Sequence, residues 1–249
     1  MENDFLNDIA DIHSHVVSGV DDGSSSPEES IAMLRMAYDE GSRTVFATPH
    51  YGAENGYDPD AGVIRRNFDE LVRLAGEEVP GIRLFLGTEW YCADDLPERI
   101  RAGKAYTMNG TEYVLTEFLE WGEHTEPGEV MLRRLKKLRG EGYRPILAHA
   151  ERYRAIQQDW DLAKRIQDLD VLIQVNAYDL YLNQKAATKD LAQWLASERM
   201  ISFIGSDMHG LPPKRSPKIR EGAEWLLANT DPGYAGQVLR GNAAQYLRI

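Results

Sequence analysis

Along this chain, short apolar runs that end in a polar residue alternate with longer segments of helical period. Seven runs read as strands: "DIADIHSH", "TVFATPH", "RLFLGTE", "YVLTE", "PILAHAE", "VLIQVN" and "ISFIGSDMH", at spacings that suit βα units. The segments between them carry helix signals. Ser26 with Glu29 makes a capping box, Pro27 fits the first helical position, and Ile31, Leu34 and Tyr38 recur on one face before a stop at Gly41. Ile64, Phe68, Leu71 and Ala75 predict a second helix, and Met131, Leu135 and Leu138 a third that ends near Gly140 and Gly142. Ser216-Pro217 predicts a capped start for a late helix carrying Ile219, Ala223 and Leu226. No linker, low-complexity tract or internal repeat divides the sequence.

Strands that alternate with helices imply a parallel sheet, open or closed. The polar residue at the end of each run argues for closure: His13 and His15, His50, Glu89, Glu117, His149, and Asp207 with His209. One barrel mouth gathers the C-terminal ends of all its strands, whereas an open sheet spreads them out. A chain of 249 residues also fits one such barrel, whose usual length is about 250 residues. The expected architecture is therefore α/β, a single domain spanning 1–249.

Composition narrows the function classes. With 43% hydrophobic and 27% charged residues, and no apolar run near the roughly 18 residues of a membrane span, no membrane insertion is expected. The acidic start "MENDFLNDIA" lacks the basic and apolar regions of a secretory signal, so a cytoplasmic location is expected. Cys92, the single cysteine, has no intramolecular partner. A formal charge of −12 argues against broad nucleic-acid binding. It leaves room for a small phosphorylated group, because metal ions reverse the local field of a pocket.

Five of the six histidines sit at strand ends. H-x-H (His13, His15) and D-x-H (Asp207, His209) each place two side chains on one side of a strand. Imidazole mixed with carboxylate suits Mn²⁺, Fe²⁺ or Zn²⁺, and Asp22, Glu89 and Glu117 offer bridging oxygens for a multinuclear site. A lone histidine at a strand end is more often a packed or hydrogen-bonded residue, and Glu89 and Glu117 read singly as ordinary ion-pairing acids. Metal binding rests on the coincidence of so many at one end. Of Asp21 and Asp22 only one is expected to reach a metal. His124, in the loop "WGEHTEPGE", joins no pattern. "EEVPG" and "RRLKKLRGEG" read as solvated helix faces, and Trp90 and Tyr91 as packing residues or as lining of the mouth.

In their order along the chain, "DIHSHVVSGVDDG", "ATPHY", "GTEWY", "TEF", "LAHAERY", "QVN" and "SDMH" resemble the PHP (polymerase and histidinol phosphatase) superfamily. Within it they are most similar to the manganese-dependent bacterial protein-tyrosine phosphatases of the CpsB/YwqE type. The resemblance implies a distorted (β/α)7 barrel, the PHP fold, with a trinuclear metal centre at the strand ends. Its ligands would be His13, His15, Asp22, His50, Glu89, Glu117, His149, Asp207 and His209. Mn²⁺ is the implied metal, as two or three ions, with Fe²⁺, Co²⁺ or Zn²⁺ as alternatives. Arg152 matches the arginine that contacts the substrate phosphate. A further basic residue fits Lys214 or Arg215, with Arg215 the choice, and Asp207 or His209 would assist proton transfer. The sequence departs from the commonest pattern at "DDGSSS" and in the loop "TPHYGAENGYDPD", which bear on peptide preference.

The function implied is hydrolysis of phosphotyrosine on a bacterial tyrosine autokinase that regulates capsule or exopolysaccharide synthesis, by a protein whose assembly into an oligomer the sequence leaves open. The alternatives are a small-molecule phosphatase acting on a compound such as histidinol phosphate, a non-catalytic metal-binding regulator, and an exonuclease disfavoured by the acidic charge. A cysteine-based mechanism is excluded by the residues themselves. It needs C-x5-R, and counting on from Cys92 the arginine position holds Glu98, with Arg99 one residue late.

Overall fold

All seven expected strands are present in the computed structural model, with short continuations that the apolar pattern did not separate. The structure describes residues 5–122, 124–182 and 185–249. Glu123 of the "WGEHTEPGE" loop and the first four residues of the acidic N-terminal segment lie outside them. In chain order the strands are β1 (Ile9–Asp11), β2 (Ser42–Ala47), β3 (His50–Tyr51), β4 (Arg83–Leu86), β5 (Glu89–Tyr91), β6 (Tyr113–Glu117), β7 (Glu120–Trp121), β8 (His124–Thr125), β9 (Arg144–Leu147), β10 (Leu172–Asn176) and β11 (Phe203–Gly205).

One parallel sheet runs β1-β2-β4 and a second β11-β10-β9-β6-β5-β3. They join where the ladders break. Pro49, which has no N–H to donate, interrupts the second run, and Gly87-Thr88 interrupts the third. The gap is crossed by Gly87 N–H donating to the Ala47 carbonyl at 2.9 Å and Glu89 N–H to the Pro49 carbonyl at 3.1 Å. A parallel bridge between Ser14 and Met208 sets the last run beside the first. The result is the expected α/β fold, a curved parallel sheet whose broken ladders distort the barrel into a half-barrel. β7 and β8 form an antiparallel hairpin, so His124 lies in a short strand where a loop was expected.

Residues one apart on the strands separate into two cores, as a period of two requires. Val45, Val114, Leu147 and Ile204 pack in the large core with the helices. Phe46, Leu115, Ile146 and Phe203 pack together on the opposite face, where Ala243 and Leu247 of the last helix meet them. Both faces are therefore filled, which explains why the strands read as nearly continuous apolar runs. Among the described residues no helix is long and apolar enough to cross a membrane.

The helix stripes fall as expected. Ile64, Phe68, Leu71 and Ala75 are the buried residues of helix Ala61–Glu78, and Met131, Leu135 and Leu138 those of helix Gly128–Gly140. Ser26 caps helix Pro27–Asp39 by accepting the Glu29 N–H at 3.2 Å. Glu29 reaches back to the N–H of Ser25, one residue short of a true capping box.

The late helix differs from expectation. It starts at Arg220, and Ser216-Pro217 do not cap it. Its first donors are taken by a distant acid: the Glu40 carboxylate accepts Ile219 N–H at 2.5 Å and Arg220 N–H at 3.3 Å. Burial raises the pKa of Glu40 against these bonds, so the acceptor oxygen matters more than the charge. Glu40→Ala is expected to cost about 1–2 kcal/mol, the usual value of a lost N-cap. Thermal unfolding followed by circular dichroism should show a lower Tm for Glu40→Ala and nearly wild-type behaviour for Glu40→Gln.

Candidate metal centre and phosphate-binding cavity

Beyond Asp11 the first run stays extended, so alternate side chains keep to one side. The Ser14 hydroxyl turns away to donate to the Phe46 carbonyl at 2.7 Å, while His13 and His15 point into the barrel mouth with their Nε2 atoms 3.2 Å apart. Two glycines permit this crowding. A Cβ on Gly205 would lie 2.6 Å from the His13 Cβ, and one on Gly23 would lie 2.2 Å from the His15 carbonyl oxygen. His149 and Asp207 leave their strands through left-handed backbone, at φ +34 and +51. Residues with a Cβ rarely adopt that region, and such strain collects at functional sites.

The strand ends meet as three overlapping groups of possible ligands: His15, Asp22, His50 and His209; His13, His15 and Glu89; and His50, Glu89 and Glu117. Glu89 is the hub. Its Oε2 lies 3.1 Å from His13 Nε2, 3.3 Å from His15 Nε2 and 3.1 Å from His50 Nδ1, and its Oε1 lies 2.8 Å from His149 Nε2. His50 presents one nitrogen to each side, Nδ1 at 3.0 Å from Glu117 and Nε2 at 3.7 Å from Asp22. His209 stacks on His15 with ring centroids 3.9 Å apart, and its Nε2 is 3.5 Å from Asp22. Asp207 Oδ1 stands 3.5 Å from His15 and 3.7 Å from His13.

Whether these residues suit cations is decided by their far sides. Gln174 Oε1 accepts the His149 backbone N–H at 2.8 Å, so it is also the acceptor for His13 Nδ1 at 3.1 Å. His15 Nδ1 donates to Asp21 Oδ2 at 2.7 Å. In the neutral rings both Nε2 atoms then carry lone pairs, and these face each other across 3.2 Å beside a carboxylate oxygen. Such an arrangement is repulsive without a positive charge between the groups. Glu89 Oε2, His50 Nδ1 and His149 Nδ1 are moreover buried without a hydrogen-bond partner. The donor set therefore fits divalent metal ions.

The electrostatics say the same. Burial alone would lower His13 and His15, but Glu89 and Asp207 raise the first, and Asp21 raises the second well above its ordinary value. His50 is raised to about 9 by Glu117 and Glu89 against the pull of burial. Glu89 and Asp207 are held well below the carboxylate range despite burial, Glu89 by His13 and His50, and Asp207 by Arg215, His13 and Arg152. Cationic partners hold these acids ionised in the interior.

Several residues that the sequence left without a role hold this arrangement from behind. Asp21 holds His15 and accepts the His50 backbone N–H at 3.0 Å, whereas Asp22 lines the mouth. Gln174 and Asn176, alternate residues of β10, act as a pair, with Gln174 Nε2 donating to Asn176 Oδ1 and Asn176 Nδ2 donating to Asp207 Oδ2, each at 3.0 Å. Asp11 accepts the N–H groups of His13 and Ser206, tying the first run to the last. A signal was available, because Asp11-x-His13 and Gln174-x-Asn176 repeat the strand period of the ligand pairs.

Over the cluster opens a cavity of about 680 Å³. Arg152 donates to Asp207 at 2.9 Å and approaches Asp179 at 3.4 Å, and Arg215 pairs with Asp207 while donating to its carbonyl at 3.1 Å. Both guanidinium groups line the cavity. Lys214 turns away to the Gly23 carbonyl at 3.3 Å, so of the two basic residues after "SDMH" it is Arg215 that faces the cluster. In the "TPHYGAENGYDPD" loop, Tyr57 stacks on His50 and Asn55 donates to Glu117.

Four residues stand apart. Trp90 and Tyr91 are buried away from the mouth, where Trp90 Nε1 donates to the Tyr106 carbonyl at 2.9 Å and the Tyr91 hydroxyl donates to Glu126 at 2.7 Å. Their reading as mouth lining is corrected: Glu89 faces inward, and the residues after it are taken by packing. His124 is exposed on its hairpin. Cys92 is buried, and burial pushes its thiol up to about 12.

Fold and cluster together define the class, an α/β barrel protein whose strand ends carry imidazoles and carboxylates set for divalent cations. The family model for capsular polysaccharide synthesis, CpsB/CapC, matches residues 9–248, and the chain belongs to that family. It is 27% identical over 247 residues to the tyrosine-protein phosphatase CpsB of Streptococcus agalactiae serotype V, covering 96% of this chain and 98% of that protein. It is 30% identical over 216 residues to CpsB of Streptococcus pneumoniae, covering 85% and 86%. A crystal structure from work on YwqE of Bacillus subtilis and CpsB of Streptococcus pneumoniae, described as metal-dependent tyrosine phosphatases, superposes with TM-score 0.83 at 24% identity, covering 96% of this chain and 94% of that one. The histidinol phosphate phosphatase of Lactococcus lactis has the same fold at TM-score 0.60 and 16% identity, covering 88% and 92%.

Proposed function

We propose that this protein is a metal-dependent protein-tyrosine phosphatase acting in the cytoplasm on the phosphotyrosines of a bacterial tyrosine autokinase that regulates capsule or exopolysaccharide synthesis. One observation carries the reading: a His and carboxylate cluster lies under two guanidinium groups in one cavity. It is supported by relatives named tyrosine-protein phosphatases that cover nearly the whole chain.

His13, His15, Asp22, His50, Glu89, Glu117, His149, Asp207 and His209 would hold two or three ions, with Mn²⁺ our assignment. When bound, the ions supply Lewis acidity toward the phosphoryl oxygens and a water acidified from 15.7 to about 7. Arg152 offers a planar set of donors to the phosphate, and Arg215 a second positive charge beside it. Asp207, held ionised by both arginines, fixes them over the cluster. Tyrosine leaves as a phenolate of ordinary pKa about 10, far better than a serine alkoxide. His209, whose Nδ1 is engaged by the Asp207 carbonyl at 2.9 Å, keeps Nε2 toward the mouth.

Cys92→Ser should retain phosphatase activity within about threefold of wild type, because a buried thiol raised to about 12 is no nucleophile near neutral pH. A loss above tenfold in the folded variant would sink the metal-only mechanism. The reading itself is tested by comparing turnover of a phosphotyrosine peptide, histidinol phosphate and a nucleotide by the Mn²⁺-loaded protein. It fails if the peptide is much the slowest, and a protein that binds the peptide but releases no phosphate is instead a regulator.

A further inference from the structure

Beside the cavity, on the far side of Arg152, Tyr178 and Arg215, lies a second hollow of about 300 Å³. Lys214, Ser216 and Lys218 complete its polar wall, and no acid lines it among the described residues. Four cationic residues border this hollow in a chain of formal charge −12. Arg152 and Arg215 turn donors toward Asp207, while the two lysines make no ion pair within 4.0 Å among the described residues; the Lys214 ammonium donates to the Gly23 carbonyl and feels the charge of Glu29. Lys218 is presented from left-handed backbone at φ +40, a conformation disfavoured for a residue with a Cβ.

We propose that this hollow is a second anion subsite, and that the substrate is a peptide carrying another phosphate or carboxylate group close to the phosphotyrosine that is hydrolysed. The proposal rests on the phosphotyrosine reading above. Because Arg152, Tyr178 and Arg215 wall both spaces, the two anions would sit one side chain apart. An extended peptide rises about 3.3 Å per residue, so neighbours two or three positions along reach both. Lysine, a point charge on a flexible stem, accepts either anion.

The test uses three peptides of one sequence, holding a single phosphotyrosine, a second phosphotyrosine two residues away, or a glutamate at that second position. Wild-type protein is expected to show a KM about tenfold lower for the peptide with the second phosphate, with the glutamate peptide marking how much a carboxylate supplies. The preference should weaken with added salt. In Lys214→Ala/Lys218→Ala, both positions being exposed, the preference should fall below twofold with kcat on the singly phosphorylated peptide unchanged. Equal KM values in wild type, or a preference that survives the double substitution, would overturn the subsite alone. Failure to release phosphate from the singly phosphorylated peptide would remove the phosphotyrosine reading and the subsite with it.

Discussion

His13→Ala is expected to lose metal and activity together. The His13 imidazole lies at the buried heart of the cluster, 3.2 Å from His15, 3.1 Å from Glu89 and 3.7 Å from Asp207. Removing it opens the group built on His15 and Glu89, and leaves Gln174 Oε1 with one donor fewer. Metal ions contribute several kcal/mol to charge stabilisation, and at 1.36 kcal/mol per decade the rate on a phosphotyrosine peptide should fall by about 10³-fold or more. Treating wild type with a chelator should give the same loss, reversed by Mn²⁺. A readout independent of turnover is available, because a ligand that binds only the folded state raises stability by about 2.7 kcal/mol at 100 times its Kd. Wild-type Tm should therefore rise with added Mn²⁺, and that of His13→Ala should not. The variant should fold, since the substitution relieves crowding between two lone pairs. His124→Ala, on the exposed hairpin, should behave as wild type in all three measurements. Unchanged metal content and activity in His13→Ala would overturn the site assignment.

The sequence carried this site unusually far because its ligands follow a local rule. Side chains at the ends of parallel strands must converge if the sheet curves, so counting polar residues after apolar runs recovers them without knowledge of contacts. The helix stripes were legible for the same reason: a period of 3.6 is written within one segment. What escaped depends on chain segments far apart. Glu40 caps a helix that begins 180 residues later, and no local pattern announces a cap supplied from so far away. The division of labour between Asp21 and Asp22 depends on which carboxylate the turn aims at His15 Nδ1. Trp90 and Tyr91 were ambiguous because an aromatic residue after a ligand looks the same whether it lines a mouth or fills a core. Gln174 and Asn176 carry no charge that would mark them in a strand, although burial makes their hydrogen bonds obligatory.

Arg152→Ala is expected to separate phosphate recognition from metal binding. The guanidinium reaches Asp207, Asp179 and the Tyr178 hydroxyl from one side and faces the cavity from the other, so its remaining donors are held where a phosphate must enter. Removing one preorganised donor of this kind costs about 10²–10³ in rate, and kcat/KM of Arg152→Ala should fall by that amount. Arg152→Lys should recover only part of it, because an ammonium keeps the charge but not the planar pair of donors. Metal content should stay near wild type in both variants. The Asp207 carboxylate is lowered by Arg215 and His13 as well as by Arg152, and it keeps the Asn176 amide at 3.0 Å, so it remains ionised and oriented without Arg152. Metal analysis, kinetics on a phosphotyrosine peptide and competition by inorganic phosphate distinguish the outcomes. Weaker phosphate inhibition with full metal loading supports a phosphate-contacting arginine. Loss of metal would instead make Arg152 a positioning residue for Asp207, and kcat/KM within threefold of wild type would remove it from the reaction.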